Sequence, residues 1–400
     1  MNKPRSIIQK TTAPLLKRSP GRAMRALGLL LLLIPACASA TSSSRPTPST
    51  RWPTDDWQRA TPEELGIDSQ ALAEAYTALH EQESGVNALV VVRHGQIAAE
   101  GYFAPFQPDS RQHVFSCTKS VLSALIGIAL SEGHIESIDE PVLSFFPDAT
   151  FDNVDKRKQQ MTLRHLLTMS TGLEWHEEAP YTNDSLGRMV HSGDWVQFIL
   201  DQSMVAEPGA VFAYNSGVSH LLSAIIQQTT GEAAQTYAKE NLFDPLGFPA
   251  VPWQTDRQGR AIGGWGLSLT AREMAKLGLL YLHEGAWEGE QIVPAAWVEQ
   301  STTQHIQGED EEHGYGFQWW IIPELSPRAF AALGLKGQRI LVVPELDLVV
   351  VFASEDAQLD LIELTENVIL PGVQSEGALP SNPEGVETLD AILETISQTP

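Results

Sequence analysis

The chain is poor in cysteine and in positive charge. Its 400 residues include two cysteines, and its 26 Lys and Arg face 50 Asp and Glu, a formal net charge of −24 at pH 7. Cys37 lies among the first forty residues and Cys117 beside Ser116, so the two make no disulfide framework. The acidic balance argues against a nucleic-acid binder, because such a surface repels phosphate. The first forty residues hold seven of the basic residues and no acidic one, so the remainder carries 19 basic against 50 acidic residues, a net of −31. The apolar run from Ala26 to Pro35 is too short to span a bilayer. No His-Glu-x-x-His occurs, so the eleven histidines carry no zincin signature, and His176 beside Glu177 and Glu178 lacks a second histidine at helical spacing. No metal or other cofactor is expected. No Gly-x-Ser-x-Gly elbow occurs either, and Ser170 reads as a helix end. No internal repeat is visible.

What is present begins with the leader. Arg18, Arg22 and Arg25 precede the apolar run, the pattern of an export signal. Two endings compete: Ala38-Ser39-Ala40 suits an ordinary signal peptidase, and Ile34-Pro35-Ala36-Cys37 is similar to a lipoprotein box that would lipidate Cys37. Either ending places the mature protein outside the cytoplasm, as a periplasmic, membrane-tethered or secreted molecule. Residues 41–56, rich in Ser, Thr and Pro, read as a flexible tether, and 57–400 as the folded domain.

Within that domain Pro62 to His80 has helical spacing. Asn87 to Arg93 and Gln96 to Phe103 form a hairpin about His94-Gly95. Helices are expected over Ser137–Pro147, Met161–Met169, Trp195–Leu200, Val218–Thr230, Glu232–Phe243, Thr270–His283 and Pro294–Gln300. A long loop runs from Ser170 to Asp194. Strands return at Tyr315–Ile322, Arg328–Leu333, Arg339–Val343 and Leu348–Phe352, and Glu355–Ile369 reads as helical. Strands at both ends with helices between, over about 131–310, give an α+β fold: an antiparallel sheet built from both termini, flanked by helices, with a helical insertion.

The chemistry centres on His113 to Leu130. Apolar residues at Val121, Leu122, Leu125, Ile126, Ile128 and Ala129 make a buried helix that opens on Ser116-Cys-Thr-Lys119. Serine and lysine three apart share one helix face. The helix N-terminus offers positive potential to a developing oxyanion, and a desolvated lysine loses basicity until it can accept the serine proton. This is one of the recurring ways to activate a hydroxyl nucleophile. A capping serine followed by a solvated lysine is the alternative on local sequence alone. Cys117 points off the Ser116/Lys119 face and reads as a packing residue.

Ser116-Cys-Thr-Lys119, Tyr214-Asn-Ser216 and a glycine-containing turn before a late strand fall in one order at wide spacing. Thr162 to Gly172, Gly266 to Ala275 and Gly337 to Pro344 accompany them. The pattern, from about Leu65 to Glu363, resembles the serine β-lactamase and penicillin-binding-protein superfamily, class C-like in arrangement. It is nearest to the esterase branch that includes the nylon-oligomer (6-aminohexanoate-dimer) hydrolases. The resemblance implies a β-lactamase/transpeptidase-like sandwich with the site between sheet and helices. It implies Ser116 as nucleophile, Lys119 as base or proton relay, and Tyr214 as the second acid/base, its phenol pKa lowered by the nearby ammonium. The third motif would be Ala332-Leu333-Gly334, with the Leu335 N–H completing the oxyanion hole. Ser216 stands where lactamases carry asparagine and could still accept from Lys119. The third motif has no cation of its own, although Lys336 and Arg339 are near, so an ester or small amide fits better than a β-lactam. Trp175, Tyr181 and Trp265 are candidate apolar walls. The alternatives are a D,D-peptidase or β-lactamase, and a catalytically silent binding protein on the same fold. The partner expected is a small-molecule substrate.

Overall fold

The computed structural model describes residues 52–398 apart from 180, 310–312 and 324. The leader, both processing sites and Cys37 lie outside the described residues. An eight-stranded antiparallel sheet organises the domain. Its strands, in chain order, are β1 (Val86–Arg93), β2 (Gln96–Tyr102), β3 (Ile306–Gln307), β4 (Gly314–Tyr315), β5 (Trp320–Ile322), β6 (Ala329–Gly334), β7 (Gln338–Val343) and β8 (Leu348–Ser354). Their spatial order is β2-β1-β8-β7-β6-β5-β4-β3. The N-terminal hairpin therefore joins the C-terminal strands by pairing β1 with β8, with Val90 opposite Val351. Between the two groups the chain is mostly helical.

The central strands are buried on both faces, which is why they read as unbroken apolar runs. Side chains alternate across a strand. Val90, Val92, Ile340, Val342, Val349 and Val351 join one core cluster. Leu89, Val91, Leu341, Val343, Val350 and Phe352 join the other. Each such side chain contributes roughly 1.5–3 kcal/mol of burial. Helix α1 (Ser69–Glu81) covers the second face through Leu72, Tyr76 and Leu79. The first face carries α2 (Cys117–Ser131), whose residues from Cys117 to Ala129 are all buried. Beyond it lie α3 (Ser185–His191), α4 (Trp195–Leu200), α5 (Ser216–Thr230) and α6 (Ala271–Leu282).

Several elements differ from the sequence reading, each for a local reason. Ser137–Pro147 is helical only as a 3₁₀ turn over Val142–Phe145, enclosed between Pro141 and Pro147. The Ser170–Asp194 loop contains α3, started by Asp184, whose carboxylate accepts from the Gly187 amide at 2.8 Å. Tyr315–Ile322 is not one strand. It reverses through Gly316–Trp319, where Gln318 takes a positive φ of 61°, and Tyr315 pairs back onto Trp320. In Glu355–Ile369 helix begins only at Leu361, where Asp360 caps it. The end of the expected tether is packed: Trp52 lies 4.9 Å from the Trp287 ring, and Lys276 donates to the Thr54 carbonyl at 2.9 Å. The sequence reading had no element for α7 (Pro383–Gln398), which buries Leu389 and Ile396 in the second-face core. Its Glu384, Glu387, Asp390 and Glu394 hide that apolar seam in an acidic tail.

Candidate active site

Ser116 occupies the N-cap of α2, after Phe115, whose φ of 47° lies in the left-handed region. A phenylalanine held there is strained, and the surroundings must impose that conformation. One helical turn on, Lys119 is 1% exposed. Its Nζ donates to Ser116 Oγ at 3.0 Å, to Ser216 Oγ at 3.0 Å and to the Gly264 carbonyl at 2.8 Å. The shared helix face inferred from the three-residue spacing is therefore realised as a direct contact.

The second motif is assembled by a cap. Asn215 is the N-cap of α5, its Oδ1 accepting from the Val218 amide at 3.0 Å. Asparagine is among the preferred residues at this position. The cap places Ser216 at the first helical position and leaves Tyr214 just outside the helix. Lys119 Nζ lies over the Tyr214 ring, 4.7 Å from its centre. Gly264 reaches Lys119 because it lacks a side chain: a Cβ there would stand 2.7 Å from Ser216 Cβ. At the end of β6, a Cβ on Gly334 would stand 2.4 Å from the Val114 carbonyl, so glycine lets the third motif close on the start of α2.

A cavity of about 480 Å³ opens over these residues. Ser116, Tyr214, Ser216 and Gly264 line its floor, and Leu333, Gly334 and Leu335 one side. Tyr181, Leu186, Val190, Trp265 and Trp320 supply apolar walls. Of the three aromatic residues named as candidate walls, Tyr181 and Trp265 line the cavity. Trp175 is not on the wall. It is a buried core residue whose indole N–H donates to Glu177 Oε2 at 3.0 Å. Lys336 is exposed, in the left-handed turn between β6 and β7, while Arg339 lines the cavity. The Arg339 Nη1 is committed to the Gly334 and Gln338 carbonyls at 2.7 and 2.9 Å.

In sequence Glu177 stands out only beside His176, which lacks the second histidine of a metal pattern. It lines the cavity, and its carboxylate accepts from the Ser216 hydroxyl at 2.5 Å and from the Ser216 amide at 2.7 Å. The signal available beforehand was a carboxylate two residues from a tryptophan in a loop too long to lack a role. Gly264, whose carbonyl accepts from Lys119, is a second residue of the site that the sequence motifs do not single out.

The titrating groups separate by role. Burial is the largest influence on Lys119 and brings its pKa down from 10.5 to about 8, although the Glu177 and Cys117 charges oppose the fall. Burial, with the Glu177 charge added, pushes the Tyr214 phenol well above 10, against a smaller lowering by its hydrogen bond with Ser116. The sequence reading expected the Lys119 ammonium to lower it. The ammonium instead lies over the ring face. Cys117 is pushed up to about 12 by burial, and its Sγ donates to the Ala332 carbonyl at 3.5 Å, so it packs as a thiol.

The chain is similar in sequence and in fold to known proteins. The beta-lactamase family model matches residues 72–368. The chain belongs to the beta-lactamase family. It is similar to the 6-aminohexanoate-dimer hydrolase of Paenarthrobacter ureafaciens, 25% identical over 73% of this chain and 79% of that protein. It is also similar to the esterase EstB of Burkholderia gladioli, 26% identical over 47% of this chain and 53% of that one. Among solved structures, the octameric penicillin-binding protein homologue from Pyrococcus abyssi superposes with a TM-score of 0.60 at 22% identity, over 77% of this chain and 79% of its own. The family and its named members make the chain a serine hydrolase.

Proposed function

We propose that this hydrolase cleaves a carboxylic ester or small amide with an uncharged acyl group, through an acyl-enzyme on Ser116. The neutral amine of Lys119 takes the Ser116 proton as Oγ attacks the carbonyl carbon. The Ser116 and Leu335 amides receive the oxyanion, beside Gly334 and near the positive end of α2. Tyr214, held protonated, gives its proton to the leaving alcohol or amine and recovers one from Lys119. Water then attacks the acyl ester, its proton returns through the same groups, and Ser116 departs as the hydroxyl. A base poised near 8 and an acid held above 10 are groups whose environments push them apart, as complementary proton transfers require.

The observation that carries this reading is the 3.0 Å contact between a desolvated Lys119 and Ser116 on the floor of a largely apolar cavity. Substrate charge follows from the surroundings. Lys336 faces solvent, Arg339 is engaged with carbonyls, and Glu309 Oε1 accepts from the Tyr214 amide at 3.2 Å. A substrate carboxylate would meet the Glu177 carboxylate on the cavity wall, while the Nη1 of the lining Arg339 is already held by two carbonyls, which disfavours the peptidase or β-lactamase alternative. The intact Ser116, Lys119 and Tyr214 disfavour a silent binding protein. Export rests on the composition of residues 1–40 alone.

A p-nitrophenyl short-chain ester and a chromogenic cephalosporin, each assayed with wild type and Ser116→Ala, test the proposal. Ester turnover lost in the variant, with little lactam turnover, is expected. Strong lactam turnover, or ester turnover surviving in the variant, overturns it.

A further inference from the structure

Glu177 deepens this reading, and the inference rests on it. Its carboxylate has no place in the proton transfers just described, yet it stands on the cavity wall one hydrogen bond from Ser216 and two from Lys119. Its setting is built. Oε2 accepts from the Ser216 amide at the N-terminus of the fifteen-residue α5 and from the buried Trp175 indole. A carboxylate is stabilised at such a terminus. Oε1 accepts the Ser216 hydroxyl proton at 2.5 Å.

We infer that Glu177 is a positioning residue that aims the lone pair of Lys119 at Ser116 by fixing the direction of the Ser216 hydroxyl. The reasoning is a count of protons. A neutral lysine amine has two N–H donors and one lone pair. Its three partners are the Gly264 carbonyl, Ser216 Oγ and Ser116 Oγ. The carbonyl can only accept. Ser216 has one proton, and Glu177 holds it, so Ser216 can only accept as well. Both amine protons are thereby assigned, and Ser116 is the partner left able to donate to the lone pair. Without the carboxylate, the Ser216 hydroxyl can turn and donate to Lys119, competing with the nucleophile for its base.

The same carboxylate acts on Lys119 by charge. The groups facing this lysine are Glu177 from the loop before α3, Tyr214 from the segment before α5, and Cys117 on its own helix. Tyr181 and Glu309 approach Tyr214 from outside, and Arg339 approaches Cys117 from β7. Of these, Glu177 is the anion that holds the ammonium form, so its removal should make Lys119 less basic.

The test uses the full mature chain, a p-nitrophenyl ester and kcat and KM as functions of pH. Glu177→Gln should lower kcat by about 10²-fold, as for a misdirected general base, with KM within about threefold. Its acid limb should move to lower pH, which a packing defect would not produce. In a Ser216→Ala background, where no hydroxyl can capture the lone pair, adding Glu177→Gln should cost little further kcat while still moving the limb. Should Glu177→Gln fail to fold, Glu177→Asp keeps the charge and shortens the reach, so kcat should fall with the limb in place. Wild-type kcat and limb in Glu177→Gln, additive losses in the double variant, or wild-type kcat in Glu177→Asp would each overturn the inference. The hydrolase reading would survive those results and fails separately, if Ser116→Ala retains turnover.

Discussion

Lys119 and Lys158 are both buried, both shifted down by desolvation and both hydrogen-bonded, yet their partners differ in kind. Lys158 is 0% exposed, and its ammonium donates to the Asp152 carbonyl at 2.9 Å and the Leu200 carbonyl at 2.6 Å. Both partners accept only, and none carries a proton to exchange. The group ties the end of α4 to the segment around Asp152. Lys119 also holds a carbonyl, that of Gly264, but its other partners are two hydroxyls, those of Ser116 and Ser216, both lining the cavity. Burial and a lowered pKa are common to both and so identify neither. The distinguishing features are a partner that can give up a proton and a route for substrate to reach it.

The sharpest way to break this comparison is to remove the chemistry on one side. Ser116→Ala and Lys119→Met should each cost at least about 10³-fold in kcat/KM for a p-nitrophenyl ester, with thermal unfolding little changed in Ser116→Ala and lowered in Lys119→Met, where the Gly264 carbonyl loses its donor. A surviving rate in either would put Lys119 in the same class as Lys158. Tyr214→Phe should lose about 10²–10³-fold, because it removes the proton donor and keeps the ring. An organophosphorus probe should still label Ser116 in that variant, and failure to label would move Tyr214 into the activation step.

The pH profile sharpens the comparison further. In the proposed mechanism the base is Lys119, whose pKa burial lowers to about 8, so kcat/KM should rise with pH through that value and fall about tenfold per unit below it. A limb near 10.5 would mean that desolvation does not govern this lysine. On the other side, Lys158→Met should keep activity within about twofold and lower stability by roughly 2–3 kcal/mol, since two carbonyls lose their donor. Calorimetry beside the ester assay reads both, and lost activity without lost stability would contradict the division. The smallest effect is expected at Arg339. Because its Nη1 is spent on two carbonyls, Arg339→Gln should alter neutral-ester turnover by no more than about threefold, whereas a larger loss would give it a role in substrate binding.

Much of this was legible in the linear pattern, and the rest was not for identifiable reasons. The Val-rich strands were readable because burial on both faces leaves no polar alternation to confuse them. The Ser116–Lys119 contact was readable because helical spacing fixes it locally. Ser216 as an acceptor for Lys119 followed from motif order. Glu177 was hidden because its role depends on a loop folding onto the start of a helix 39 residues later, which no local spacing encodes. The sense of the Tyr214 shift was misjudged because proximity to an ammonium says nothing about whether the charge meets the ring face or the hydroxyl. Helix α7 was obscured by its acidic face, and the reversal at Gly316–Trp319 by apolar residues that suit a strand and a tight turn equally.

The most direct test of the central claim is to mix wild-type enzyme with a p-nitrophenyl ester, quench in acid within the first turnovers and identify the modified peptide by mass spectrometry. The account predicts an acyl mass increment on the peptide carrying Ser116, absent from Ser116→Ala. Full ester turnover in Ser116→Ala, with no adduct on wild type at any quench time, would contradict it.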